Sequence, residues 1–404
     1  MDFINRHIFN VVKRITQSYS AIMITGPRQV GKTTLLRNMA DEGRNFVTLD
    51  NLDDRRTARN DPELFLAMYP PPVIIDEVQY APELFSYIKI AIDGGAPAGS
   101  FWMTDSQQFR LMKLAQESLA GRIAILQMSS LSQQEIYGAE SAPFSVSLEA
   151  VKQRPGEKAD VRGIFERIWR GGMPAYVSKK HPERDIFFSS YVKTYVERDI
   201  SDITEIKDTL QFTDFVRAAA CRVGQVLVVH DIARDVGVSD DTAKRWLQLM
   251  EQTGVIFYLR PYHNNLLKRV IKAPKLYFFD TGLVAYLTRY STPEILMNGA
   301  INGAILENFC IAEILKSYTN NGIEPIAHYY RDKDGREIDL LLESDGALYP
   351  VEVKKSAIVD GTATRAFKVL DGGRLARGAG AVICTKEALA AVDSDTFAVP
   401  VWML

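Results

Sequence analysis

A chain of 404 residues is too long for one comfortable hydrophobic core, so about two to four domains are expected. With 47% hydrophobic and 24% charged residues it has the composition of a soluble folded protein, so disorder is not the default expectation. A formal net charge of −2 neither demands nor excludes nucleic acid, because binding depends on where positive charge gathers.

No run approaches the about 18 apolar residues of a membrane span. The opening stretch, broken by Asp2, Arg6, Lys13 and Arg14, does not read as a signal peptide. Cys221, Cys310 and Cys384 are odd in number and widely spaced, which points to buried free thiols in a reducing cytoplasm. The histidines lack metal-ligand spacing.

In chain order, Ala21-Ile22-Met23-Ile24-Thr25 is an apolar run of strand length. Gly26, Pro27, Arg28, Gln29, Val30, Gly31, Lys32 and Thr33 follow it, and a helical pattern begins at Thr34. Strand, glycine loop and helix with Gly-x4-Gly-Lys-Thr spacing form a P-loop: the glycines let backbone amides wrap phosphates at a helix N-terminus. Lys32 is expected to reach the β- and γ-phosphates of ATP and Thr33 to ligate Mg2+.

Val73-Ile74-Ile75-Asp76-Glu77 then reads as a buried parallel strand ending on two carboxylates, a Walker B motif. Asp76 is expected to hold magnesium through water and Glu77 to orient or deprotonate the attacking water; a helix-capping role for Glu77 is the alternative. Phe101-Trp102-Met103 leads into Thr104, Asp105 and Ser106, where Thr104 or Ser106 is a candidate γ-phosphate sensor and a solvated loop is the alternative. Arg122, at the start of the next strand, either complements transition-state charge or makes a surface salt bridge.

Gly26 to Thr34, Val73 to Gln79, Thr104-Asp105-Ser106-Gln107-Gln108-Phe109 and Leu119-Ala120-Gly121-Arg122 together resemble the prokaryotic AAA-type ATPases fused to a C-terminal domain of unknown function. That family commonly has Thr-Gly-Ser on the sensor strand, so Asp105 either points away from the nucleotide or alters turnover. The resemblance implies an ATPase core over 1–145, a helical lid over 146–210 that includes Arg198, and self-association into a homo-oligomer.

Over 211–292 the pattern is helix-turn-helix: Val229 to Val236, a turn at Gly237-Val238-Ser239, and Asp240 to Thr253. Lys244 and Arg245 lie early on the second helix, and Arg260, Lys268, Arg269, Lys272 and Lys275 read as a basic wing able to meet DNA phosphates. Asp240 and Asp241 oppose that reading, and a packing role is the alternative.

In 293–404, Gly303 to Leu315 reads as an amphipathic helix carrying Glu307. A hairpin follows over Ala327 to Leu342 with a turn at Asp334-Gly335, and Tyr349 to Lys354 forms the next strand across a turn at Asp345-Gly346. Alternation sets Glu352 and Lys354 on one face, and a neighbouring strand brings Asp339 beside them. Asp339 and Glu352 are expected to bind Mg2+ or Mn2+, Lys354 to stabilise phosphate charge, and Glu307 to complete the shell. This order resembles the PD-(D/E)xK restriction-endonuclease-like fold.

The fold class expected is thus α/β: a P-loop AAA-type ATPase core with helical lid, a winged helix-turn-helix, and a C-terminal restriction-endonuclease-like α/β domain. Two functions stay open: an ATPase whose nucleotide state regulates a DNA-directed nuclease, or a nucleotide-switched scaffold whose last domain binds without cleaving.

Overall fold

The computed structural model describes residues 4–106, 119–178, 183–194, 209–262 and 273–404. Strands β1 (Ala21–Thr25), β2 (Asn45–Thr48), β3 (Val73–Asp76), β4 (Phe101–Asp105) and β5 (Ile123–Gln127) form a parallel sheet in the order β2-β3-β4-β1-β5. Ala21 and Met23 face one apolar layer with Phe65, Phe85 and Ile88, while Ile22 and Ile24 face another with Leu35, Leu36 and Trp102. Burial on both faces explains why these strands read as unbroken apolar runs.

The described residues of the middle of the chain are largely helical, including Val161–Arg170, Pro174–Val177, Arg184–Thr194 and Thr209–Ala220. The pair Val229–Val236 and Asp240–Gln252 follows, turned by Gly237 in the left-handed region and capped by Ser239, whose hydroxyl accepts from Thr242 N at 3.2 Å. The Arg198 expectation lies outside the described residues.

A second, mixed sheet holds β6 (Ile256–Pro261), β7 (Lys275–Phe278), β8 (Ala327–Arg331), β9 (Glu337–Ser344), β10 (Ala347–Lys354), β11 (Ala376–Arg377), β12 (Gly380–Cys384), β13 (Ala390–Ala391) and β14 (Thr396–Pro400). Its order is β13-β14-β12-β10-β9-β8-β6-β7, with β11 beside β10. The turn joining β9 to β10 places Asp345 and Gly346 at positive φ, as a two-residue hairpin requires.

Two expectations change here. The strands read as a basic wing do pair antiparallel with each other, but they also join the carboxy-terminal sheet: β6 runs parallel to β8, with Arg260 opposite His328 and Pro261 opposite Tyr329. The sheet therefore crosses the 292/293 boundary. The helix Asn302–Thr319 is not amphipathic but buried nearly all round, from Ile305 to Ser317, at the centre of one core with Phe215, Trp246 and Val351. Of the cysteines, Cys310 and Cys384 are buried and Cys221 is exposed. Among the described residues no helix is long and apolar enough to cross a membrane.

Candidate functional site

The P-loop leaves the carboxyl end of β1 and enters the helix Lys32–Met39 through Gly31 at φ 95°. Gly26 has no alternative here: its φ is +145° and a Cβ would stand 2.0 Å from the Met128 carbonyl oxygen. Lys32 is buried and donates to the carbonyls of Gly26 and Pro27, both at 2.8 Å. The loop is thus closed on its own lysine, ready to exchange two carbonyls for phosphate oxygens.

The carboxylates sit beside it. Asp76 Oδ1 accepts from Thr33 Oγ1 at 2.5 Å and Thr104 Oγ1 at 2.7 Å, and its Oδ2 from Thr48 at 3.2 Å. Glu77 is held at φ 57°, a costly conformation for a non-glycine residue. Its amide donates to Thr104 Oγ1 at 3.0 Å, while its carboxylate accepts from Ser106 Oγ at 3.1 Å and from Gln79 and lies 3.9 Å from Arg28. Thr104 and Ser106 therefore position the two carboxylates. Alternation along β4 puts Asp105 on the sheet face opposite Thr104. Thr33 and Asp76 fit a magnesium ion, since a hydroxyl and a carboxylate oxygen in contact are the donors such an ion takes alongside nucleotide phosphates.

A cavity of about 620 Å³ covers this region, lined by Arg28, Lys32, Thr33, Glu77 and Ser106 and roofed by Pro174, Ala175, Ser178 and Thr194 of the helical segment. Arg122 does not join it. Ile123 pairs with Ala21, at the strand end opposite the P-loop, so Arg122 lies across the full length of β1 from the pocket and binds Asp93 at 2.6 Å.

Beneath the P-loop lies a network that sequence reasoning missed. Buried Arg6 donates to the Val30 carbonyl at 2.7 Å, the Ser129 carbonyl at 2.8 Å and Glu135 Oε1 at 2.9 Å. Glu135 belongs to a capping box with Ser132 on the short helix Gln133–Ile136. The first amide of that helix, Gln133 N, donates to Glu313 Oε2 at 2.7 Å, on the central helix that also carries Glu307. Burial alone would raise the Glu135 carboxyl, but Arg6 and the Ser132 amide hold it below its ordinary value.

In the second sheet, β9 and β10 pair so that Val353 N donates to Asp339 Oδ2 at 2.8 Å, which brings Asp339 to Glu352 and Lys354. Lys354 Nζ donates to Glu352 Oε1 at 2.6 Å, and the charge of Glu307 acts on both Glu352 and Asp339. The unforeseen member is Lys275 on β7. Only 3% exposed, its ammonium lies 2.9 Å from Glu307, 2.5 Å from Glu337 and 3.9 Å from Asp339, and Tyr277 OH donates to Glu307 at 2.6 Å. Burial would lower the Lys275 ammonium, but Glu307, Asp339 and Glu337 hold it above its ordinary value. Asp339 is the most distant of the three, and burial, with Glu307 and Glu352, pushes its carboxyl well up.

This corrects the expected metal shell of Asp339, Glu352 and Glu307. Among the described residues no three or more His, Cys, Asp or Glu are arranged to hold a metal ion, and the Lys275 ammonium lies against both Glu307 and Glu337. As they stand, the residues do not fit a divalent ion. A cleft of about 600 Å³ opens beside them, lined by Arg336, Lys354, Lys355 and Arg365 together with Glu337 and Asp360.

Of the expected DNA contacts, Lys244 and Arg245 are exposed, but Lys244 lies 3.6 Å from Asp241 and Arg245 donates to Thr242. Lys275 is buried and cannot meet a phosphate backbone. Lys268, Arg269 and Lys272 lie outside the described residues.

A P-loop on a parallel sheet, with the Thr33 hydroxyl against the Asp76 carboxylate, has the layout of a nucleotide-binding core, and residues 18–137 match the family model of an AAA domain, which supports an AAA-type ATPase core. Residues 161–294 and 302–404 match two domains of unknown function, DUF8612 and DUF4143. The chain is similar to uncharacterised proteins of Mycobacterium bovis and Mycobacterium tuberculosis, each 27% identical over 350 residues, 86% of this chain and 73% of theirs. Among solved structures, a Walker-type ATPase of Pyrococcus abyssi is 14% identical with a TM-score of 0.41, covering 71% of this chain and 96% of its own. A RuvB variant of Thermotoga maritima is 15% identical with a TM-score of 0.31, covering 62% and 88%.

Proposed function

We propose that the chain is a nucleotide-operated switch: ATP is bound and hydrolysed at the P-loop, and its state is passed to a carboxy-terminal domain that holds a polyanionic partner without cutting it. The observation that carries this is the line Val30, Arg6, Glu135, Gln133 and Glu313, which ties the P-loop backbone to the central helix of the last domain. When phosphates enter, Lys32 leaves the Gly26 and Pro27 carbonyls for the β- and γ-oxygens, and the loop amides close on them. Glu77, held by Gln79 and Ser106, orients the attacking water and takes its proton. Thr33 and Asp76 would hold magnesium, which supplies charge neutralisation of the phosphates.

Of the two functions left open by the sequence, the non-cleaving one is favoured because Lys275 stands among the carboxylates. The cations of the adjacent cleft, Lys354, Lys355 and Arg365, favour nucleic acid, DNA in the first instance, as the partner, whereas Arg336 is already paired with Asp332 and Asp334. ATP-dependent self-association into a homo-oligomer accompanies this reading.

Hydrogen exchange of the amides of Asn302–Thr319, compared between apo, ADP-bound and ATP-bound Glu77→Gln protein, tests the switch. A nucleotide-dependent change in protection is expected; identical exchange in all three states would remove it. A panel of single- and double-stranded DNA and RNA with Mg2+ or Mn2+ tests the second half. Binding without cutting is expected, whereas cutting lost in Asp339→Ala would restore the nuclease reading.

A further inference from the structure

The carboxylates of the second sheet converge on one point, and that point is a nitrogen. Glu307 Oε1, Glu337 Oε1 and Asp339 Oδ1 lie 2.9, 2.5 and 3.9 Å from Lys275 Nζ. Glu307 comes from the central helix and the other two from β9, and two of the three are fixed from outside: Glu307 by Tyr277 OH at 2.6 Å, and Asp339 through its other oxygen by Val353 N at 2.8 Å. Separately, Glu352 is 7% exposed, and its Oε2 has no hydrogen-bond partner although Oε1 is bound by Lys354. The Asp339 backbone amide acts on this carboxylate, but Oε2 makes no close hydrogen bond and is an under-satisfied acceptor, while the Lys275 ammonium is spent on three other acids.

We propose that the Lys275 ammonium is the resident cation of this site, standing where a divalent ion would have to sit, and that removing it opens a site for one hard divalent cation on Glu307, Glu337, Asp339 and the unpartnered oxygen of Glu352. A hard cation such as Mn2+ takes carboxylate oxygens at about 2.1 Å, so the acids contract around it by less than a side-chain rotamer step. Loss of the lysine leaves the acids with a charge deficit that a divalent ion more than restores. The inference rests on the non-cleaving reading only in taking Lys275 as filling the site, and it makes no use of the P-loop.

The test is Mn2+ binding to the nucleotide-free full-length chain, followed by electron paramagnetic resonance, for wild type, Lys275→Ala and Lys275→Ala/Asp339→Asn. Lys275→Ala is expected to bind Mn2+ at least about tenfold more tightly than wild type, and Asp339→Asn to abolish the gain. A folded Lys275→Ala that binds no better than wild type overturns the proposal. So does wild-type binding that is as tight as in the variant and is lost with Asp339→Asn. If Lys275→Ala does not fold alone, recovery of its circular dichroism on adding Mn2+ but not Na+ supports the site, and failure to recover counts against it. The non-cleaving reading fails separately, by metal-dependent cutting in the wild-type chain.

Discussion

Arg6→Met should damage the protein out of proportion to a single surface-charge loss. Arg6 is 4% exposed and Glu135 2% exposed, and the pair is joined at 2.9 Å. Without the guanidinium, Glu135 keeps the His7 amide at 2.8 Å and the Ser132 amide at 2.9 Å, but no cation. Removing one partner of a buried pair costs about 3–5 kcal/mol, and the Val30 and Ser129 carbonyls each lose a donor, so a loss of at least about 4 kcal/mol is expected. That is a large share of the about 5–15 kcal/mol that holds a typical native state. Removing the stranded charge as well, in Arg6→Met/Glu135→Gln, should return about 2 kcal/mol through the coupling term of the double-mutant cycle. Urea unfolding followed by tryptophan fluorescence reads this, because Trp102 is buried in the sheet beside β1. A coupling energy below about 0.5 kcal/mol would refute the pairing as the source of stability.

Four further outcomes are expected. Lys32→Ala should weaken ATP binding by about 2–3 kcal/mol, roughly 30- to 150-fold, and unchanged affinity by calorimetry would remove its role at the phosphates. Glu77→Gln should keep ATP affinity and lower turnover by about 10²–10⁴-fold in a phosphate-release assay, and unimpaired turnover would remove its role as base. Gly254→Val forces a Cβ to 2.9 Å from Pro27 Cδ at φ +70°, so it should cost about 1–3 kcal/mol and also weaken nucleotide binding; unchanged ATP affinity would show that this turn does not bear on the P-loop. Because the Glu135 carboxyl is held below its ordinary value, its stabilisation is full above the unfolded value of about 4.3 and is lost as pH falls through the folded one. Glu135→Gln should flatten the acid limb of the unfolding curve, and an unaltered limb would contradict the assignment.

What could be read from the sequence followed contiguity. The P-loop and the Asp76-Glu77 pair carry their chemistry in unbroken runs at a strand end, so spacing alone placed them. Asp339, Glu352 and Lys354 were legible because a two-residue turn sets the register of β9 against β10. Lys275 was not, since its partners lie 32, 62 and 64 residues further on and its basic neighbourhood suggested an exposed wing. The one local signal was Lys275 alternating with Tyr277 in an otherwise apolar strand, the period that points both inward. Arg6 gave no signal at all, because its acceptors are a loop carbonyl, another carbonyl after β5 and Glu135. Arg122 misled in the opposite way: its place beside a strand was right, but strand direction carried it to the wrong edge.

The way β6 and β7 complete the second sheet limits how this chain can be recombined. A graft of residues 302–404 onto another ATPase would arrive with the β8 edge stripped of its neighbour and with Glu307, Glu337 and Asp339 lacking their ammonium. The exchangeable unit therefore begins upstream of Ile256 and takes in the helix pair Val229–Val236 and Asp240–Gln252, whose following turn rests on Pro27 of the P-loop. Any chimera must carry that turn together with a loop shaped to receive it.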